Sequence, residues 1–215
     1  MIPTSQPLHR CLDVITDSAV HDRIVAALAA DGYAIVPGFL GANAVRGLRE
    51  HARALDEQGL LVPAGIGRGA RRTVRRDVRG DRIRWLGDAP DARAERPLFE
   101  ALAALRAAVN RELTLGLTAF EGHYALYPAG ARYARHRDRF RDDDARVLSI
   151  VLYANASWRK ADGGELRIHV SDERVHDVVP KGGTLVVFQS GRFEHEVLPA
   201  TRERLSIAGW FRRRP

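Results

Sequence analysis

Two residues in the stretch "ARYARHRDRF" (131–140) have side chains that ligate metals, His136 and Asp138. In an extended segment, residues two apart share a face, so both side chains would point one way and Arg137 the other. A third ligand could come from "RFEHEVLP", where His195 lies between Glu194 and Glu196. The same alternation turns both glutamates away from the face His195 occupies. Two imidazoles and one carboxylate with open positions form the facial triad of non-haem Fe(II) oxygenases. One carboxylate keeps the charge of such a site low, neutral imidazoles suit iron, and the open positions take co-substrate and O2. His-x-Asp alone recurs often by chance. The competing set His169, Asp172 and His176 spans a turn around Ser171-Asp172, and His169 is expected to alternate outward.

Arg204 adds a second demand. In "RERLSIAGWF", Arg204, Ser206, Ala208 and Trp210 share one face of a strand, and Leu205 and Ile207 the other. If the first face points into a barrel, it carries a guanidinium inward with no obvious carboxylate beside it, at a cost of several kcal/mol. A bound anion would offset that cost, and the bidentate fork of arginine suits a carboxylate. A small diacid that chelates iron at one end and meets Arg204 at the other satisfies both demands. The alternative is an exposed arginine on an edge strand.

The elements that must position these residues fall into two halves. "SAVHDRIVAALAADG" places Val20, Ile24, Val25, Leu28 and Ala29 near one helical face and stops at Asp31-Gly32. "YAIVPGFL" is a short apolar strand. "GANAVRGLREHARALDEQG" returns to the helical period through Val45, Leu48, Ala52 and Leu55, with Gly59 as a stop. "ERPLFEALAALRAAVNREL" is a third helix with Leu98, Leu102, Leu105 and Val109 along one side. His21 and His51 fall in helices and are expected at the surface; His9 lies in the polar N-terminal segment. From about residue 117 the pattern becomes short strands: "FEGHYALYP", "RVLSIVLYAN", "GELRIHV", "VHDVVP", "GTLVVFQ", "EHEVLPA" and "RLSIAGWF". Short strands divided by turn residues indicate a sandwich or barrel. The expected class is α+β: a double-stranded β-helix (jelly-roll) core over about 117–213, flanked by a helical part over about 1–116, in one domain of 215 residues.

Bulk composition narrows the setting. Cys11 is the only cysteine, which excludes an internal disulfide and a cysteine-rich zinc site and suits a reducing compartment. The N-terminal "MIPTSQPLHRCLDVITDS" lacks the basic start and apolar core of a signal peptide, and no apolar run reaches the roughly 20 residues that cross a bilayer. A cytoplasmic protein without membrane contact is expected. Of 34 basic residues only Lys160 and Lys181 are lysine, a bias that GC-rich coding also produces. Eight arginines crowd "GRGARRTVRRDVRGDRIR" (67–84), either a basic patch for an acidic protein or a nucleic acid, or a solvated loop.

"YPAGARYARHRD", "GGELRI" and "FEHEVLPATRERLSIAGWF", with "VRGDRIRWL" (78–86) upstream, resemble the prolyl 4-hydroxylase branch of the Fe(II)/2-oxoglutarate dioxygenases. Within it they resemble hypoxia-inducible-factor prolyl hydroxylases and their bacterial relatives, over about residues 30–213. The resemblance implies His136, Asp138 and His195 as iron ligands and Arg204 as the anchor of the distal carboxylate of 2-oxoglutarate. It further implies Tyr127 and Tyr153 as lining of the co-substrate pocket, Arg146 and Trp210 near a peptide substrate, and Asp81 in a loop that covers it. Read from the residues alone, Tyr153 could instead be a core aromatic. The stretch 60–77 departs from the animal enzymes, and the Tyr127-to-His136 spacing is one residue shorter, which leaves Tyr133 without an assigned role.

The activity so implied is hydroxylation of a prolyl residue in a protein substrate. It would use Fe(II), 2-oxoglutarate and O2, with ascorbate as a reductant, and release succinate and CO2. A carboxylate at 138 favours hydroxylation over halogenation, because a halide needs that coordination position. The alternatives are a dioxygenase of the same class acting on a free amino acid, a small metabolite or an alkylated nucleic acid, and a non-catalytic jelly-roll module that binds nucleic acid or an acidic protein through its arginines.

Overall fold

In the computed structural model, residues 18–67, 73–139 and 144–214 are described. His9, Cys11 and arginines 68, 71 and 72 of the arginine-rich stretch lie outside them. Helix α1 (Ser18–Ala30) buries Val20, His21, Ile24, Val25 and Leu28. His21 is thus interior rather than at the surface: positions 21, 24, 25 and 28 follow the i, i+3, i+4, i+7 spacing of one helical face. Gly32, at φ +82°, ends the helix and turns the chain into strand β1 (Tyr33–Val36). Helix α2 (Ala42–Glu57) buries Ala44, Val45, Leu48 and Ala52. Helix α3 (Arg96–Leu113) buries Leu98, Ala101, Leu102, Leu105, Ala108 and Val109, and closes on Thr114 in the left-handed conformation.

The first half is less helical than its periodicity suggests. It supplies β1 and also β2 (Val62–Pro63) and β3 (Arg82–Trp85), which the sequence does not announce. The remaining strands are β4 (Leu117–Tyr127), β5 (Tyr133–His136), β6 (Arg146–Tyr153), β7 (Leu166–His169), β8 (Val175–Val178), β9 (Leu185–Gln189), β10 (Glu194–Val197) and β11 (Arg204–Arg213). Seven strands form one antiparallel sheet in the order β1-β9-β6-β11-β4-β3-β2, and four form a second in the order β5-β10-β7-β8. The early strands cover its edges, β1 on β9 with Tyr33 opposite Phe188, and β3 on β4 with Ile83 opposite Ala125. An uncovered edge would leave a row of unpaired backbone groups.

Alternation along the larger sheet separates two cores. Leu185 and Val187, Leu205 and Ile207, and Tyr124 and Leu126 pack with the three helices. Their neighbours Val186, Phe188, Ala125 and Tyr127 pack instead with Leu166, Ile168 and Val197 of the smaller sheet. Arg204 and Ser206 follow the second parity and sit on the face between the sheets. Strand β11 lies between β6 and β4 at the middle of its sheet, so Arg204 is not on an edge strand. Among the described residues no helix is long and apolar enough to cross a membrane.

Candidate metal centre and anion pocket

His136 ends β5 and lies directly opposite His195 of β10 in the sheet register. Asp138 reaches the same point from a bend beyond the end of β5, not by the strand alternation expected from the sequence. The local bend turns its carboxylate back over the strand. Asp138 Oδ1 is 3.5 Å from His136 Nε2, and Oδ2 is 3.5 Å from His195 Nε2. One ligating atom from each of the three residues lies within 4.8 Å of the others. Among the described residues no other group of three such side chains converges this way. His169 instead faces Glu196 at 3.1 Å, and His176 lies 3.4 Å from the Tyr33 hydroxyl, so the competing histidine set does not assemble.

The cluster is prepared for a cation. A backbone carbonyl can only accept, so the 2.7 Å contact of His136 Nδ1 with the Ala134 carbonyl places a proton on Nδ1, and Nε2 is the ring nitrogen turned toward Asp138. His195 Nδ1 faces the Phe193 carbonyl at 3.5 Å in the same sense. Burial pushes His195 down to about 4, so its imidazole is neutral near pH 7. Burial works against the charge of Asp138, yet His195, His136 and the Ser149 hydroxyl hold its carboxyl well below the usual range. Two imidazoles and an ionised carboxylate that converge on one point fit a divalent metal such as Fe(II).

The cluster opens into a cavity of about 420 Å³ that also reaches Tyr127, Arg204, Trp210 and Arg146. Arg204 is 1% exposed. Its Nε donates to the Gly164 carbonyl at 2.9 Å and its Nη1 to Ser206 Oγ at 3.2 Å, both neutral acceptors. Among the described residues no carboxylate pairs with it. The Tyr127 and Tyr153 rings lie 5.1 Å from its guanidinium carbon. The Tyr153 hydroxyl is buried without a hydrogen-bond partner, and burial pushes it up to about 12 while the Arg204 charge pulls the other way. Arg204 and Tyr127 line the cavity, whereas Tyr153, expected there from the sequence, is not among its lining residues; the guanidinium of Arg204 is the charged donor that an anion in the cavity would meet.

The substrate-side residues expected from the sequence divide. Arg146 donates to Glu121 at 2.8 Å and lies 3.4 Å over the Trp210 ring, and both line the cavity. The Trp210 indole N–H is buried without a partner. Asp81 does not line the cavity: it is 2% exposed and gripped in two bonds, 2.7 and 2.9 Å, by Arg79. It is Arg79 that faces the cavity, 4.7 Å over the Tyr133 ring, which stacks on His136 at 3.7 Å. Tyr133, left unassigned by spacing, thus abuts the metal cluster. His123, Trp85 and Ser149 also belong to the site without having been singled out. Trp85 packs edge-on against His123 at 5.0 Å at the mouth, and "VRGDRIRWL" carried a signal for it.

The arginine-rich stretch is largely neutralised where it is described. Arg75 pairs with Asp77, Arg79 with Asp81, and Arg82 with Asp56. Elsewhere Glu194 faces Arg135 and Arg137, turned away from the cluster as alternation requires.

Comparison with known proteins decides the family. Residues 122–212 match the 2OG-Fe(II) oxygenase superfamily. A crystal structure of a Pseudomonas putida prolyl-4-hydroxylase is 47% identical, with a TM-score of 0.82 over 91% of this chain and 100% of that one. The chain belongs to the 2OG-Fe(II) oxygenase superfamily. A Trichoplax adhaerens prolyl hydroxylase, solved with a peptide of the hypoxia-inducible-factor oxygen degradation domain, is 28% identical with a TM-score of 0.81, covering 90% of this chain and 89% of that one. A hypoxia-inducible factor prolyl hydroxylase of Caenorhabditis elegans is 28% identical over 89% of this chain, which spans 28% of that protein's length. Enzymes of the superfamily use Fe(II), 2-oxoglutarate and O2, and the jelly-roll core is common to these structural neighbours. Membership sets aside the non-catalytic arginine-rich module.

Proposed function

We propose that this 2OG-Fe(II) oxygenase hydroxylates a prolyl residue in a protein substrate. His136, Asp138 and His195 hold the metal, and Arg204 holds the distal carboxylate of 2-oxoglutarate. Bound there, Fe(II) would supply the site for O2 reduction, with one oxygen atom entering succinate as the 2-oxoglutarate carboxylate leaves as CO2 and the other inserted into the substrate C–H bond. The observation that carries the reading is Arg204, a fully buried guanidinium without a carboxylate partner that shares a cavity with the His-Asp-His cluster. The fork of Arg204 takes the distal carboxylate in charge-assisted bonds, with the Tyr153 ring packed 5.1 Å from the guanidinium carbon. Tyr127 and the apolar residues between the sheets exclude water around it, which strengthens those bonds.

A protein substrate is supported by the peptide held in the Trichoplax relative and by the open rim of this cavity. Trp210, with Arg146 over its ring and its own N–H unsatisfied, offers one face and one donor to a peptide carbonyl. Ascorbate would serve only to return oxidised iron to Fe(II) between turnovers, and a cytoplasmic setting suits the lone cysteine. The test is mass spectrometry of a proteome incubated with the protein, Fe(II), 2-oxoglutarate and O2. Added oxygen on particular prolines, absent with His136→Ala, is the expected outcome. Oxidation of other residues or of small molecules only, with no hydroxyproline, would overturn the prolyl assignment.

A further inference from the structure

Behind the candidate metal carboxylate lies a pair of buried hydroxyls. Ser149 is 1% exposed and Ser190 is 0% exposed. Ser149 interrupts the apolar run of β6 at a position that faces the space between the sheets, alongside Val151 and Tyr153. Ser190 follows the end of β9 and is fixed by its backbone N–H, which donates to the Val147 carbonyl at 3.0 Å. Ser149 Oγ lies 2.7 Å from Asp138 Oδ2, and the two serine oxygens are 2.9 Å apart.

Chemistry fixes the direction of this chain. An ionised carboxylate only accepts, so Ser149 spends its single proton on Asp138. The bond between the hydroxyls is then donated by Ser190 to Ser149. A hydroxyl that accepts is a stronger donor, so Ser190 strengthens the grip of Ser149. That grip falls on Oδ2, while Oδ1 stays beside His136 Nε2. A carboxylate held this way cannot rotate freely about its Cβ–Cγ bond, although Asp138 comes from a bend and not from the sheet that holds both histidines.

We propose that Ser149, backed by Ser190, is a positioning residue that fixes the Asp138 carboxylate for one-oxygen ligation of the metal. The proposal rests on the metal-site reading above. Hydrogen bonds to ligating groups typically contribute 10–100-fold in metal affinity.

The experiment is an anaerobic titration of the whole chain with Co(II), without 2-oxoglutarate, followed by visible absorbance, on wild type, Ser149→Thr, Ser149→Val, Ser190→Ala and His136→Ala. Threonine and valine have nearly the same shape, so any cost of the added methyl appears in both and only the hydroxyl distinguishes them. Ser149→Val is expected to bind Co(II) roughly 10–100-fold more weakly than Ser149→Thr, with a changed ligand-field band as the carboxylate is freed. Ser190→Ala should give a smaller loss of affinity, and each variant should unfold cooperatively without metal. Equal affinity and identical bands for the valine and threonine variants, with binding lost in His136→Ala, would overturn the positioning role and leave the metal site standing. Undiminished binding in His136→Ala would overturn the metal-site reading and the proposal with it.

Discussion

Replacing Arg204 by methionine should separate ligand binding from stability. For most fully buried, hydrogen-bonded side chains removal is expensive. Arg204 differs, because its charge lies between the sheets and, among the described residues, it donates to the Gly164 carbonyl and Ser206 hydroxyl and to no carboxylate. Methionine of similar length removes a buried charge whose burial costs several kcal/mol. Against that gain stand two lost hydrogen bonds at about 1 kcal/mol each and one carbonyl left unsatisfied at about 1–3 kcal/mol. These terms nearly cancel, so the ligand-free variant should unfold within about 2 kcal/mol of wild type, or roughly 4–8 °C for a chain of this size. Binding of 2-oxoglutarate should behave differently. Hydrogen bonds to charged groups contribute about 1.5–3 kcal/mol each, and losing a fork of two should weaken binding by at least about two orders of magnitude. Calorimetric titration of 2-oxoglutarate into the Mn(II)-loaded protein measures the second quantity, and thermal unfolding of the ligand-free protein the first. Wild-type affinity in Arg204→Met would refute the assignment of the pocket. Intact affinity loss with a ligand-free protein destabilised by 5 kcal/mol or more would refute the claim that the charge lacks a partner.

Three further outcomes follow from the same geometry. Asp81→Ala should cost about 3–5 kcal/mol in urea denaturation, because it leaves the Arg79 guanidinium buried without its carboxylate. Gly164→Ala should weaken 2-oxoglutarate binding: its φ of +75° disfavours a side chain, and the added Cβ would lie 2.9 Å from Ala200 Cβ and 3.3 Å from Arg204 Cδ. In calorimetric titration, affinity equal to wild type would dissociate Gly164 from Arg204. Burial pushes His123 and His195 each to about 4 from an ordinary 6.5. Both are neutral in the folded chain and protonate more readily when it unfolds, so stability is full above about pH 6.5 and is lost as pH falls from there toward 4, by up to about 3 kcal/mol each. Urea midpoints of the metal-free protein between pH 7 and 4.5 should show this, and His123→Gln should flatten the slope by about half.

The parts of the site legible in the sequence are those whose signal is local. The strand period placed Arg204, Ser206 and Trp210 on one face and separated His195 from Glu194 and Glu196, because alternation is a property of the backbone itself. It failed for Asp138, whose position depends on a bend that period two cannot describe. His21 was legible and passed over: its i+3, i+4 and i+7 neighbours are all apolar, and only its polar type suggested the surface. Strands β2 and β3 were hidden because the first is two residues long and the second alternates arginine with apolar residues, and they pair because the sheet edge at β4 is available. Arg79 reaches the cluster by lying over Tyr133, a contact between distant segments that no local pattern encodes, whereas Tyr133 itself stacks on His136 within the same short strand. Ser149 left a faint trace as the one serine in "RVLSIVLY".

Arg79 and Arg204 of the cavity show how a paired charge and a ligand-seeking one can be told apart. Arg79 is enclosed, and burial alone would suppress its charge, but the Asp81 carboxylate more than restores it. The pair is electrically complete, and nothing further is demanded of a ligand there. Arg204 is more deeply buried still, and among the described residues it meets a carbonyl, a serine hydroxyl and the two tyrosines, with no carboxylate. A folded chain tolerates that deficit only when something outside the chain repays it in the working state. The deficit also specifies the repayment: one negative charge with planar acceptors, small enough to share about 420 Å³ with a metal and part of a substrate. A nucleic-acid phosphate backbone would need an open cationic surface, whereas this cation is 1% exposed and lines the same cavity as the metal cluster. A short dicarboxylate meets the condition, with its other end free to reach His136, Asp138 and His195.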